Sequence, residues 1–166
     1  MPARRDAVAL IGIAAVVILI DQLTKFLIVS TIGPGRLESR VEVVDGWLAL
    51  EYTQNRGAAF GVLSGLVPIL AAASFAILTV LLLLYMRQAR PPHWQTGAIG
   101  LISGGAVGNL VDRVRLGHVV DFLSIGPWPN FNIADSAITV GVLALIWGLT
   151  RPATAFGFVR AADRGS

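Results

Sequence analysis

The chain has 166 residues, 55% of them apolar and only 14% charged, with a mean hydropathy of +0.72. A soluble domain carries about 25% charged residues, so this chain has too little polar surface for a water-soluble globule, and a protein that crosses a membrane several times is expected. The absence of cysteine excludes disulfides, thiolate catalysis and cysteine-based metal sites. The net charge of +3 does not point to nucleic acid, because the arginines flank apolar runs instead of forming a basic tract with interleaved aromatics.

Four spanning helices are predicted, each built on about 20 mostly apolar residues. The first covers about 7–28: Ala7 to Ile20 contains no polar side chain, and Asp21, Gln22, Thr24 and Lys25 interrupt its far end. Arg4 and Arg5 precede it as they would precede a cleavable leader. Its length, the lack of a small-x-small cleavage site and the three later spans predict a retained helix instead. The loop that follows, 31–65, contains Arg40-Val41-Glu42-Val43-Val44 and Trp47-Leu48-Ala49-Leu50-Glu51-Tyr52 on either side of Asp45-Gly46. Alternating apolar and polar residues around such a turn predict a β-hairpin, with Trp47 and Tyr52 suited to a membrane interface. The second span, 66–86, has Pro68 in its first turn, where a missing N–H costs little. The third, 95–111, is glycine-rich, and small residues let helix backbones approach closely. The fourth covers 133–150.

The chain is therefore read as one integral-membrane domain, mainly α, with a small β-hairpin between helices 1 and 2. Arginines 4, 5, 87, 90, 151, 160 and 164 fall on one side. Lys25 and arginines 36, 40, 56, 113 and 115 fall on or near the other. The first set lies in tails or a short loop near helix ends, which by the positive-inside rule predicts cytoplasmic termini.

On this topology Asp21 and Lys25, four residues apart and so on one helical face, lie at the outer end of span one. Asn55 and Arg56 precede span two, Asn109, Asp112 and Arg113 end span three, Asp121 follows in a loop, and Asn132 and Asp135 open span four. Four segments distant in sequence thus bring polar groups to one membrane boundary, and ionisable groups inside a membrane are functional candidates by default. Histidine is nearly absent, with His93 on the other side, and no serine has an evident activating partner, which disfavours zinc and Ser–His–Asp chemistry. Carboxylates remain. Two at close range share a proton, so that one activates water while the other polarises a carbonyl; Asp121 and Asp135 are the candidate pair.

Each residue also has a structural reading. Asn132 and Asp135 suit a helix cap, Asp121 a solvated loop, Asp112 and Arg113 an interfacial ion pair, and Lys25 a snorkelling lysine paired with Asp21. Two other functions compete as well. A proton or cation relay would spread its acids through the membrane depth, whereas a lipid-binding assembly factor would tolerate neutralisation of either aspartate.

Four blocks carry a resemblance: Asp21-Gln22-Leu23-Thr24-Lys25; Asn55-Arg56-Gly57-Ala58-Ala59-Phe60-Gly61; Gly104 through Arg113, continuing over Gly117, Val119, Val120, Asp121 and Phe122; and Phe131-Asn132-Ile133-Ala134-Asp135 with Ile138. In order, they resemble the bacterial lipoprotein signal peptidases, or signal peptidase II. The resemblance implies an inner-membrane aspartyl endopeptidase that acts as a monomer without metal or organic cofactor. Its substrates are expected to be diacylglyceryl-modified prolipoproteins, cut on the amino side of the lipobox cysteine. It matches the catalytic dyad to Asp121 and Asp135, and residues that shape the site to Asp21, Lys25, Asn55, Gly57, Asn109, Asp112, Arg113, Asn132 and Ala134. The outer hairpin resembles the family's β-cradle, and Arg56 receives no catalytic role.

Overall fold

A computed structural model describes residues 2–36, 40–56 and 67–150. Gly57, Phe60 and Gly61, the chain leading into the second helix, and arginines 151, 160 and 164 lie outside the described residues. Four helices are present, α1 (Arg4–Ile32), α2 (Val67–Met86), α3 (His93–Leu116) and α4 (Ile133–Leu149), with strands β1 (Arg40–Val44), β2 (Leu48–Asn55) and β3 (Val119–Ile125). The helices α1 and α2 are long and apolar enough to cross a membrane, whereas α4 is a shorter apolar helix of 17 residues. Their apolar side chains point outward: Leu19 and Phe26 of α1, Ile77 of α2 and Leu149 of α4 are among the most exposed side chains. A water-soluble protein rarely exposes such continuous apolar faces, and a lipid environment accounts for them.

The glycines of α3 set the packing of the bundle. A Cβ on Gly105 would collide with the Ala134 carbonyl oxygen, and one on Gly108 would lie 2.6 Å from Asp21 Oδ2. These bare backbone positions let α3 lie directly against the first turn of α4 and against the polar segment of α1. The helix runs five residues beyond the expected 111, so Asp112 and Arg113 lie within it. Gly117 then takes the left-handed conformation (φ 72°), its N–H donating to the Arg113 carbonyl at 3.1 Å, and turns the chain into β3.

The expected hairpin forms from β1 and β2, paired antiparallel with a register irregularity between Glu42 and Val44. The segment carrying Asp121, expected as a loop, is instead a third strand. β3 pairs antiparallel with β2, with Thr53 opposite Asp121 and Asn55 opposite Val119, giving the order β1-β2-β3. Its residues Val119 to Phe122 are all buried, the charged Asp121 included, so the strand lacks the half-buried alternation that would mark it. Ile28 and Ile32 of α1 pack with Phe122, joined by Leu50, Tyr52, Leu123 and Ile133, and this cluster seats the sheet on the end of the bundle.

Candidate active site

The polar residues gather beneath that cluster. Asn132 caps α4: its Oδ1 accepts from the Asp135 N–H at 2.9 Å, and Asp135 Oδ2 accepts from the Asn132 N–H at 3.3 Å. This reciprocal box is the structural role anticipated for the pair, but it does not exhaust them. The fully buried Asn132 amide also donates to Asp121 Oδ1 at 2.7 Å, to Asn109 Oδ1 at 3.2 Å and to the Val120 carbonyl at 3.3 Å. Asn109 Nδ2 donates to Asp135 Oδ1 at 2.8 Å, and Asn55 Nδ2 to Asp121 Oδ2 at 2.9 Å. Asp121 and Asp135 thus come from a strand and a helix start to the same asparagine, each held by a second asparagine.

Below them is a buried ionic cluster. Lys25 Nζ lies 2.9 Å from Asp21 Oδ2, 2.8 Å from Asp112 Oδ2 and 2.9 Å from Asn109 Oδ1. Lys25 does not snorkel; it is 3% exposed, and both carboxylates are equally withdrawn. Asp21 Oδ1 accepts from the Ala134 N–H at 3.0 Å, and Asp112 Oδ2 from the Val120 N–H at 3.2 Å. The cluster therefore fixes the backbone next to each candidate catalytic aspartate: Ala134 precedes Asp135, and Val120 precedes Asp121. Asp112 pairs with Lys25 and not with its neighbour Arg113, because adjacent helical residues point in different directions. Arg113 Nη1 instead donates to the Asn109 carbonyl at 3.3 Å.

Gln22 was not among the residues singled out by pattern, yet it belongs to this network. Its Nε2 reaches Asp112 Oδ1 at 2.9 Å, Asp21 Oδ2 at 3.2 Å and the Gly108 carbonyl at 3.3 Å. Its place inside the first motif block was the available signal. Arg56 donates to Gln54 at 3.1 Å on the exposed surface, away from the carboxylates. Gly57 lies outside the described residues.

Asp135 opens on two clefts. One of about 230 Å³ lies between α2, α3 and α4, with Ile77, Leu78, Ile102, Ala106 and Ile138 as apolar walls and Ser74, Asn109, Arg113 and Asp135 as its polar lining. The other, about 420 Å³, has Trp128, Phe131, Ser136, Thr139 and Val140 around the same carboxylate. An apolar chain can therefore approach the acids from within the bundle while a polar bond stays beside them.

Asp121 has its carboxyl pushed up from 3.8 to about 6, chiefly because burial penalises the charged form, with the Asp135 charge adding to the rise. Hydrogen bonds from Asn55 and Asn132, and the Lys25 charge, oppose it. Between 3.8 and about 6 the folded protein holds a proton that the unfolded chain has released, so this group makes stability fall as pH rises through that window. Asp121→Asn does not titrate. Its stability relative to wild type is expected to rise across the window by up to about 3 kcal/mol, the two-unit shift at about 1.4 kcal/mol per unit, and to stay level above it. Melting of both proteins in detergent as a function of pH checks this; a difference independent of pH contradicts it.

A family model described as signal peptidase (SPase) II matches residues 13–151. The chain is 42% identical over 139 residues to a lipoprotein signal peptidase of Parasynechococcus marenigrum, covering 82% of this chain and 86% of that protein. It is 43% identical over 145 residues to the lipoprotein signal peptidase of Syntrophotalea carbinolica, covering 82% and 88%. Among solved structures, a bacterial membrane enzyme determined by the in meso method at 1.9 Å resolution superposes with a TM-score of 0.77 at 37% identity, covering 86% of this chain and 92% of that one.

Proposed function

The chain belongs to the signal peptidase II family, and from that premise we propose that Asp121 and Asp135 are the catalytic dyad with which it cleaves prolipoproteins. It is an aspartyl peptidase that removes signal peptides from prolipoproteins. The observation that carries the dyad is the convergence of both carboxylates on Asn132, with a buried ionic cluster bracing the residue before each.

One carboxyl is ionised and takes a proton from water; the other is protonated and donates to the scissile carbonyl oxygen. Hydroxide from that water adds to the carbonyl carbon to give a neutral tetrahedral diol. The amide C–N bond then breaks as the nitrogen receives the proton held by the former base. A diol hydroxyl gives its proton to the other, now ionised carboxylate, so that the carbonyl re-forms as the new carboxyl terminus and the dyad returns to its starting state. Water attacks directly, so no acyl-enzyme forms and no metal or organic cofactor is required. Asn55, Asn109 and Asn132 orient the carboxylates. Asp21, Lys25, Asp112 and the Ala134 backbone hold the surrounding frame, Arg113 lines the apolar cleft beside Asp135, and Gly57 is assigned to the site by the family resemblance alone.

The full 1–166 chain forms one integral domain with α1 to α4 all spanning the bacterial inner membrane as a monomer. Both termini are cytoplasmic, and the sheet and dyad lie at the outer face. Two features support this reading: the exposed apolar helix surfaces, and the collection of polar groups at one end of the bundle. The substrate is a diacylglyceryl-modified prolipoprotein cut on the amino side of its lipidated cysteine. Its acyl chains stay in lipid while the apolar signal segment occupies the cleft between α2, α3 and α4. Purified protein is expected to cut the lipidated precursor and release an amino-terminal diacylglyceryl-cysteine, while leaving the unlipidated Cys→Ser precursor intact. Equal cleavage of both precursors, read by mass spectrometry, contradicts the lipid requirement.

A further inference from the structure

At the opposite end of the bundle, a cleft of about 460 Å³ lies where α1 and α3 begin. Its size falls within the range of roughly 300–1,000 Å³ typical of small-ligand sites. Arg5 and Asp6 of α1 line one side; Arg90, Pro91, Pro92 and His93, from the α2–α3 connection and the start of α3, line the other. Asp6 is buried and already engaged: its Oδ2 accepts from the Ala3 N–H at 3.2 Å, while Oδ1 lies 3.9 Å from Arg5 Nε and 4.0 Å from His93 Nδ1. Arg90 has no ion-pair or hydrogen-bond partner among the described residues. The cleft is therefore cationic, with Arg5 and Arg90 against the single carboxylate of Asp6. The starts of two helices add the positive ends of their dipoles.

From these observations we propose that this cleft binds the phosphate of an anionic phospholipid headgroup. Arg5 and Lys25 are twenty positions apart on α1, which at 1.5 Å per residue is about 30 Å, the thickness of a bilayer's hydrocarbon core. With the polar cluster at one boundary, the cleft falls at the headgroup layer of the other leaflet. Its surroundings match the rest of such a ligand: Val8 and Ile11 follow Arg5 along α1, Leu83, Leu84 and Met86 precede Arg90, and all five are exposed. A soluble anion would use the cations and leave these apolar surfaces without a role; a phospholipid uses both.

The test is native mass spectrometry of the full-length protein in neutral detergent, titrated with phosphatidylglycerol or phosphatidylcholine. Wild type is expected to prefer phosphatidylglycerol by about tenfold or more, and Arg5→Gln/Arg90→Gln to lose about tenfold to thirtyfold, the increment of two arginines near an anionic surface. Arg5→Lys/Arg90→Lys, which keeps the charge, is expected to retain most of the preference, as is Arg87→Gln, which removes a neighbouring exposed arginine outside the cleft. Equal binding of the two lipids, unchanged binding by the double glutamine variant with its fold intact, or an equal loss in Arg87→Gln overturns the proposal. Displacement of phosphatidylglycerol by millimolar inorganic phosphate also overturns it, by assigning the cleft to free phosphate.

Discussion

Replacing either Asp121 or Asp135 with Asn is expected to lower the rate of prolipoprotein cleavage by about 10³-fold or more in a folded protein. General acid–base catalysis contributes roughly 10²–10⁴-fold, and a dyad that shares one proton loses its function when either member can no longer titrate. Groups that act as a unit are strongly non-additive. The double variant is therefore expected to be scarcely slower than either single one. Asn preserves the size of the side chain but replaces one of two acceptor oxygens with an NH2 that faces a donor from Asn55, Asn109 or Asn132, so a modest loss of stability is expected and folding is checked directly. Initial rates of purified proteins on a lipidated precursor, with melting profiles as the control, decide it. Near-normal cleavage by one variant would remove that residue from the dyad while leaving the peptidase assignment intact.

Lys25→Met is expected to be the most destabilising single change outside the dyad. The ammonium lies within 2.9 Å of both Asp21 and Asp112, and all three side chains are almost completely withdrawn from solvent. Removing it leaves two buried carboxylates facing each other without a counter-charge. Breaking one side of a buried ion pair costs about 3–5 kcal/mol, and here a single cation serves two acids. Activity is expected to fall as well, because Asp21 and Asp112 hold the Ala134 and Val120 backbones beside the dyad. The charge-neutral triple variant Asp21→Asn/Lys25→Met/Asp112→Asn should recover much of the lost stability, since it no longer buries an unpaired charge. Denaturant unfolding in detergent measures both effects. A loss below about 1 kcal/mol for Lys25→Met would show that the cluster does not brace the site.

Much of this architecture was legible because hydropathy and topology act over long stretches. The helices α1, α2 and α4 follow from apolar runs, α3 from its small residues, and the hairpin from alternation around Asp45-Gly46. The strand β3 was not legible. Buried on both faces, Val119 to Phe122 lacks the period-two pattern that marks a half-exposed strand, and its partner β2 lies more than sixty residues away in sequence. Asp21 and Lys25 were correctly placed on one helical face by their spacing, but Gln22 is rotated about 100° from Asp21 and enters the network only because its side chain is long. The adjacent Asp112 and Arg113 suggested an ion pair in sequence; the helix instead points one at Lys25 and the other at the apolar cleft. Partner choice in a polar cluster depends on side-chain direction, which a one-dimensional pattern does not carry.

The shared-proton dyad is tested most directly by the pH dependence of cleavage by wild-type protein. One carboxyl must be ionised and the other protonated, so the rate is expected to trace a bell, falling on the acid side when the base is protonated and on the alkaline side when the last shared proton leaves. A rate that stays flat across the acid limb, with the protein folded and substrate saturating throughout, would contradict catalysis by Asp121 and Asp135.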